Sequence, residues 1–168
     1  EDPNARKEHA EARRSDRFWT PPDVVERCLQ SLRNAMGPAL WSMCRLVEPS
    51  AGAGAFFNRL PAGRRVGVEK NARLARHLRV QQGDFLRATA ESVGLQGVLR
   101  PAVCAIGNPS YSEDMPFHFL AHAAGLAGWC ALVLLSNLAK PGGRVSRYME
   151  PLRSVEFKAS DDSRTVNL

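Results

Sequence analysis

From residue 18 onward the chain shows a regular hydrophobic pattern. In F-W-T-P-P-D-V-V-E-R-C-L-Q-S-L, Val24, Val25, Cys28, Leu29 and Leu32 recur at three- and four-residue intervals, the spacing of one helical face. Thr20 offers a capping hydroxyl, Pro21 suits the first helical position, and Asp23 follows three residues after the cap, so an amphipathic helix is predicted. The pattern then changes to short apolar runs bounded by Gly, Pro and Asp. C-R-L-V-E-P, R-V-G-V-E, R-V-Q-Q-G-D, P-A-V-C-A-I-G and W-C-A-L-V-L-L-S-N predict strands. Helices are predicted between them at F-F-N-R-L, Asn71 to Leu78, Phe85 to Val93 and Pro116 to Ala127. After Pro141-Gly142-Gly143 the pattern weakens to one helix and one strand, S-V-E-F-K-A. Strands alternating with helices imply an α/β fold with a mostly parallel sheet covered by helices on both faces. Residues 1–17 are polar and charged with no apolar stripe, and read as a mobile arm or a solvent-facing helix ahead of a single domain at 18–168.

Composition narrows this picture only modestly. The length of 168 residues suits one domain, and 44% hydrophobic with 24% charged residues excludes global disorder. Lys and Arg total 23 against 17 Asp and Glu, a net charge of +6 that is compatible with a polyanionic partner. The excess is spread over Arg13, Arg14 and Arg17, the pair Arg64 and Arg65, and the set Lys70, Arg73, Arg76 and Arg79; solvated helix faces account for it equally well. Cys28, Cys44, Cys104 and Cys130 are well separated and form no Cys-x-x-Cys pair, as expected of core residues in a reducing compartment. No signal peptide is visible and the longest apolar run, Trp129 to Leu135, is too short to span a bilayer. A soluble protein of the cytoplasm, nucleoid or nucleus, with no membrane partner, is the expectation. The first residue is Glu1 rather than Met, as in an excised or processed piece.

The unusual residues fall at the carboxyl ends of the predicted strands, where open parallel sheets bind ligands. E-P-S-A-G-A-G-A-F carries Gly52 and Gly54, which permit a tight turn and close approach to a ligand. A dinucleotide fingerprint would need a third glycine where Phe57 stands, which disfavours NAD. Glu69 ends the second strand at the spacing of an acid that accepts from ribose hydroxyls. Asp84 ends the third and could accept from an adenine amino group, with Phe85 along the ring. A glycine loop followed by a ribose acid indicates an adenosine-containing ligand.

This ordered series resembles the S-adenosylmethionine-dependent amino-methyltransferases of the Rossmann-like class, and among them the adenine-specific members, including compact phage or prophage DNA methyltransferases. F-W-T-P is similar to the family's leading F-x-T-P, E-P-S-A-G-A-G-A-F to its cofactor loop, Glu69 to its ribose acid, G-D-F-L to its adenine-binding element, and N-P-S-Y to its catalytic N-P-P-Y. The resemblance implies a three-layer α/β/α sandwich of class I methyltransferase type, with the last strand either missing or supplied by the tail D-D-S-R-T-V-N. It implies that Phe18 and Thr20 hold the methionine end of S-adenosylmethionine, that Glu48, Ser50, Gly52 and Gly54 surround the rest, that Glu69 and Asp84 bind the adenosyl part, and that Asn108 borders the cofactor as well as the acceptor. No metal is implied. His118 and His122 lack the glutamate of H-E-x-x-H and any third ligand.

The chemistry of N-P-S-Y points the same way. An aromatic amino nitrogen is a poor nucleophile because its lone pair is delocalised into the ring, so a site must hold both amino hydrogens on acceptors that favour a pyramidal nitrogen. The Asn108 side-chain oxygen and the Pro109 carbonyl can be those acceptors, and Tyr111 can stack on an extruded or single-stranded base. Ser110 replaces the family's second proline, for which a looser loop is expected. The expected activity is methyl transfer to adenine in nucleic acid, DNA in preference to RNA. Methylation of a glutamine amide and an inactive, nucleic-acid-binding partner subunit remain as alternatives. The 168 residues are not expected to hold a separate target-recognition domain, so specificity is expected to be low, loop-borne or supplied by a partner subunit.

Overall fold

The computed structural model describes residues 20–112 and 114–132, together with the backbone of 158–159 and 166–167. The arm at 1–17, Phe18, the predicted strand residues 133–137, the helix expected after Gly143 and residues 154–157 of the last predicted strand lie outside the described residues.

The first helix, α1 (Pro22–Met43), buries the predicted face, Val24, Val25, Cys28, Leu29 and Leu32, and extends it to Met36. It begins one residue later than expected. Pro21 is the N-cap and no side chain caps the helix. The reason lies in the second proline: a cap at Thr20 would put prolines at both of the next two positions, removing an N–H that its hydroxyl would bond. Gly37 (φ 74) breaks the helix ahead of Pro38. The segment beyond the break leads to β1 (Arg45–Glu48), and the Arg64 guanidinium secures this junction by donating to the carbonyls of Trp41 and, at 3.0 Å, Cys44.

Four further strands follow: β2 (Arg65–Glu69), β3 (Gln81–Gln82), β4 (Val103–Gly107) and β5 (Trp129–Leu132). They form one parallel sheet in the order β3-β2-β1-β4-β5. The order reverses between β1 and β4, which lie side by side with Leu46 opposite Cys104. This doubly wound α/β arrangement is compatible with a Rossmann-like fold and opens its crevice at the carboxyl ends of those two strands.

Alternation along the strands divides the core into two layers. Leu46, Cys104, Ile106 and Ala131 face α1, whereas Val47, Val103, Ala105 and Leu132 face Phe117, Leu120 and Ala123 of a second apolar helix. Between the layers the strands are buried on both faces, which is why they read as continuous apolar runs. The helix over Asn71–Leu78 is observed as α2 (Ala72–Leu78), capped by the Asn71 side chain on the amides of Arg73 and Leu74. The apolar helix is α3 (Met115–Leu126).

Three further expectations are corrected. The third strand shrinks to two residues at the sheet edge, and the helix expected over Phe85–Val93 is only a 3-10 turn at Phe85–Arg87. There the Asp84 side chain takes the Leu86 amide, while Thr89 and Ser92 exchange side-chain and backbone hydrogen bonds that compete with a helical ladder. F-F-N-R-L likewise forms a 3-10 turn, Phe57–Arg59. In the tail, β6 (Lys158–Ala159) pairs antiparallel with β7 (Val166–Asn167) as a separate two-stranded sheet.

The burial of α1 makes a direct prediction. Leu29 is fully buried, so Leu29→Ala should cost about 2–5 kcal/mol in urea unfolding. Gln30, one residue on and exposed, should change stability by less than about 0.5 kcal/mol when replaced by Ala.

Candidate functional site

A cavity of about 750 Å³ opens at the carboxyl ends of β1, β2, β3 and β4. Its wall is formed by the four loops that follow these strands, with Thr20 closing one side. Of the sequence-predicted residues, Thr20, Glu48, Ser50, Gly52, Glu69, Asp84, Phe85, Asn108 and Pro109 line it. Gly54 and Tyr111 do not appear in the wall, and Phe18 lies outside the described residues.

The loop after β1 is held from across the sheet. Glu69 is 8% exposed, and its two carboxylate oxygens accept from the Gly52 and Asn71 amides, each at 2.7 Å. One side chain thus ties the loop after β1 to the start of α2. Gly52 adopts φ +54 to present its N–H. Gly54 has a packing role: at φ +88, an added Cβ would come within 2.5 Å of Asn58 Nδ2 and 2.8 Å of Leu78 Cδ2. The residues after this loop form a 3-10 turn rather than an α-helix, with Phe57 buried. The loop therefore leads into no α-helical N-terminus that could receive a pyrophosphate.

Glu48 is the least satisfied group in the wall. It is 2% exposed, and its Oε2 is buried without a hydrogen-bond partner among the described residues. Burial pushes its carboxyl well above the ordinary range and the neighbouring Glu69 carboxylate adds to this, against a hydrogen bond from the Phe57 backbone. Gly107 makes room for it, since a Cβ there would lie 3.3 Å from Glu48 Cγ.

Asp84 sits at the β3 end of the cavity. Burial raises its carboxyl, but hydrogen bonds from Lys70 Nζ (3.2 Å) and the Leu86 amide (3.1 Å) outweigh this and hold it below the ordinary range. Phe85 is a core residue that reaches the wall, with its ring stacked on Phe119 at 5.7 Å and edge-on to His122.

At the β4 end, three hydroxyls from three parts of the chain hold Asn108. Its Nδ2 donates to Thr20 Oγ1 at 3.0 Å, its backbone carbonyl accepts from Ser50 Oγ at 3.0 Å, and its Oδ1 accepts from the Tyr111 hydroxyl. Pro109 is buried beside it. The Ser110 and Ser112 hydroxyls share a 3.0 Å hydrogen bond.

Sequence reasoning missed Lys70, Asn71, Met115 and Phe119 as wall residues. Only Lys70 and Asn71, next to Glu69, had a local signal. His122 Nε2 pairs with the Ala88 carbonyl at 2.9 Å, and no group of three metal-ligating side chains comes together among the described residues. Burial lifts the Cys28 and Cys130 thiols to about 11 and 12, so both are protonated at neutral pH. Among the described residues no helix is long and apolar enough to cross a membrane.

No protein-family model matches the chain, nor does any curated protein. The chemistry of the cavity therefore has to be read from its own residues.

The state of Glu48 is testable. A carboxyl whose folded pKa is raised stabilises the fold below the ordinary glutamate range, and this contribution is lost as pH rises through the folded-state value. Glu48→Gln should therefore flatten the fall of Tm as pH rises above the ordinary glutamate range and leave the variant more stable than the wild type at the alkaline end, measured by thermal melts across pH.

Proposed function

We propose that the chain is an S-adenosylmethionine-dependent methyltransferase acting on the exocyclic amino group of adenine in DNA. What supports this most is that one cavity gathers Glu69, Asp84 and the N-P-S-Y loop, three elements far apart in sequence, at the switch point of the sheet. Its volume lies within the range of cavities that enclose a cofactor-sized ligand.

The residues fit such a cofactor. Each carboxylate oxygen has two acceptor positions, so Glu69 can bind ribose hydroxyls while retaining the Gly52 and Asn71 amides. Asp84, kept ionised, is an acceptor for an adenine amino group, and the buried Oε2 of Glu48 gives the wall an unmet polar group for the methionine end. When bound, the cofactor supplies an electrophilic methyl group. The chain's own task is to present the acceptor nitrogen.

Asn108 Oδ1 and the Pro109 carbonyl take the two amino hydrogens and draw the nitrogen towards a pyramidal geometry, so its lone pair becomes available. Because the Tyr111 hydroxyl occupies Oδ1, the ring leaves this contact to stack on the incoming base. Once methylated, the nitrogen is positively charged and strongly acidic and loses one proton to solvent, so no strong general base is required. The positive net charge suits a phosphate backbone.

Tritiated cofactor incubated separately with DNA, RNA and protein tests the reading. Label is expected in DNA. Label in protein alone would redirect the reading to an amide acceptor, and cofactor binding with label in none would mark an inactive subunit. Asn108→Ala should lower transfer on the order of a hundredfold while cofactor affinity changes less than about twofold. Tyr111→Phe, which keeps the ring and removes the hydroxyl, should retain transfer. DNA affinity should fall steadily between 50 and 200 mM salt, roughly as the released counterions dictate.

A further inference from the structure

We infer that the exposed face of α2, with Lys70 before it and Arg79 after it, is a contact surface for the phosphate backbone of DNA. The inference rests on the function proposed above and names where the polymer is held outside the cavity.

The helical period sorts the side chains of this segment. Ala75 is buried and Leu74 and Leu78 are half-buried, whereas Arg73, Arg76 and His77 are exposed. At 3.6 residues per turn these three fall within about 100° of arc, on the side opposite Ala75. Lys70 and Arg79 extend the set at three-residue spacing in both directions, and from Lys70 to Gly83 the chain holds no Asp or Glu.

A solvated helix face ordinarily mixes signs, as α1 does: Arg27 pairs with Asp23, and Glu26 with Arg59. Among the described residues Arg73, Arg76 and Arg79 make no ion pair; in this row Lys70 alone does, with Asp84. The helix dipole favours Arg76, in the last turn, but opposes Arg73, in a first turn that has no acidic residue. Arg79 closes the helix in the left-handed region at φ 57, the only residue other than glycine with a positive φ among the described residues. Glycine would adopt that backbone at lower cost. Two arginines thus stand where the helix disfavours them, and no internal partner accounts for either.

The placement of the row fits a polymer. Lys70 and Asn71 line the cavity and Asn71 caps α2, so the helix starts at the cavity rim, then runs along β2 and β3. At about 1.5 Å per residue, the stretch from Lys70 to Arg79 covers roughly 13 Å. One strand of a duplex carries a phosphate about every 3.4 Å of its axis, so a row this long faces several phosphates in succession. A small anion would engage only part of it. A nucleotide delivered to the Asn108 loop leaves its polymer crossing the mouth of the same cavity, where the row begins.

The test measures binding of a fluorescently labelled, adenine-containing duplex to the whole chain by anisotropy, over a series of salt concentrations. Arg73→Gln/Arg76→Gln, which keeps good helix formers, should raise the DNA Kd about tenfold or more at about 100 mM salt and reduce the slope of log affinity against log salt by about 1.8, about 0.9 for each lost phosphate contact. In transfer assays its KM for DNA should rise, with kcat and the cofactor Kd within twofold of the wild type. Arg79→Gly should raise Tm by relieving the left-handed backbone and still weaken DNA binding several-fold. Arg27→Gln/Arg59→Gln removes the same charge from paired positions and should change the DNA Kd less than threefold. An unchanged Kd or salt slope in the first variant, an equal loss in the paired-position control, Arg79→Gly binding DNA as tightly as the wild type, or wild-type binding to phosphatidylserine–phosphatidylcholine vesicles as tight as to DNA would each overturn the inference. These outcomes are read from binding alone. Wild-type methyl transfer to the same duplex, measured alongside, tests the functional reading separately: binding through this row without transfer would sink that reading and leave the surface standing.

Discussion

The Glu69 carboxylate is the constraint on which the cavity depends. Its two oxygens take backbone N–H groups from two different loops, so the glycine loop after β1 and the start of α2 share one anchor. With one oxygen for each amide, the carboxylate satisfies both at once. Backbone bonds alongside, from the Ala51 amide to the Val68 carbonyl and from the Gly83 amide to the Glu69 carbonyl, continue the connection along the ends of β1, β2 and β3. The left-handed backbone at Gly52 has its purpose here, because it turns an N–H towards an acid on the neighbouring strand.

Charge at the site is graded rather than uniform. Asp84, beside Lys70, is easily ionised; Glu69 holds one backbone amide on each oxygen; Glu48, deepest of the three, resists ionisation. Three carboxyl groups around one cavity would repel each other if equally solvated. Separate partners at each let them coexist, and they leave unmet polar capacity where a ligand carrying positive charge would be accommodated. The opposite wall is built from hydroxyls and an amide, groups that orient rather than charge.

Much of the fold could be read directly from the chain. The face of α1 and the strands β1, β2 and β4 have strong periodicities or unbroken apolar runs, and they appear where these predict. What failed were choices made by local competition. Thr20 has the residue type of a cap, but the double proline after it removes the donor. Phe85 to Val93 contains enough apolar residues for a helix, but Asp84, Thr89 and Ser92 divert the backbone into turns. Within the site, the residues at strand ends were visible because the fold class places ligands there. Contacts between distant segments, Thr20 with Asn108 and Lys70 with Asp84, leave no local pattern to read.

The bond from Asn108 to Thr20 also bears on folding. It joins the loop after β4 to the residue before α1, across 88 positions, so it closes one of the longest loops among the contacts around the cavity. Sheet pairing between β1 and β4 can be complete before α1 has settled against Leu46, Cys104 and Ile106. A chain arrested at that stage would have its glycine loop and its acids in place, with Asn108 still lacking its bond to Thr20. The bond between the loop after β4 and the segment before α1 would then form only with the docking of α1, the last of these contacts to close.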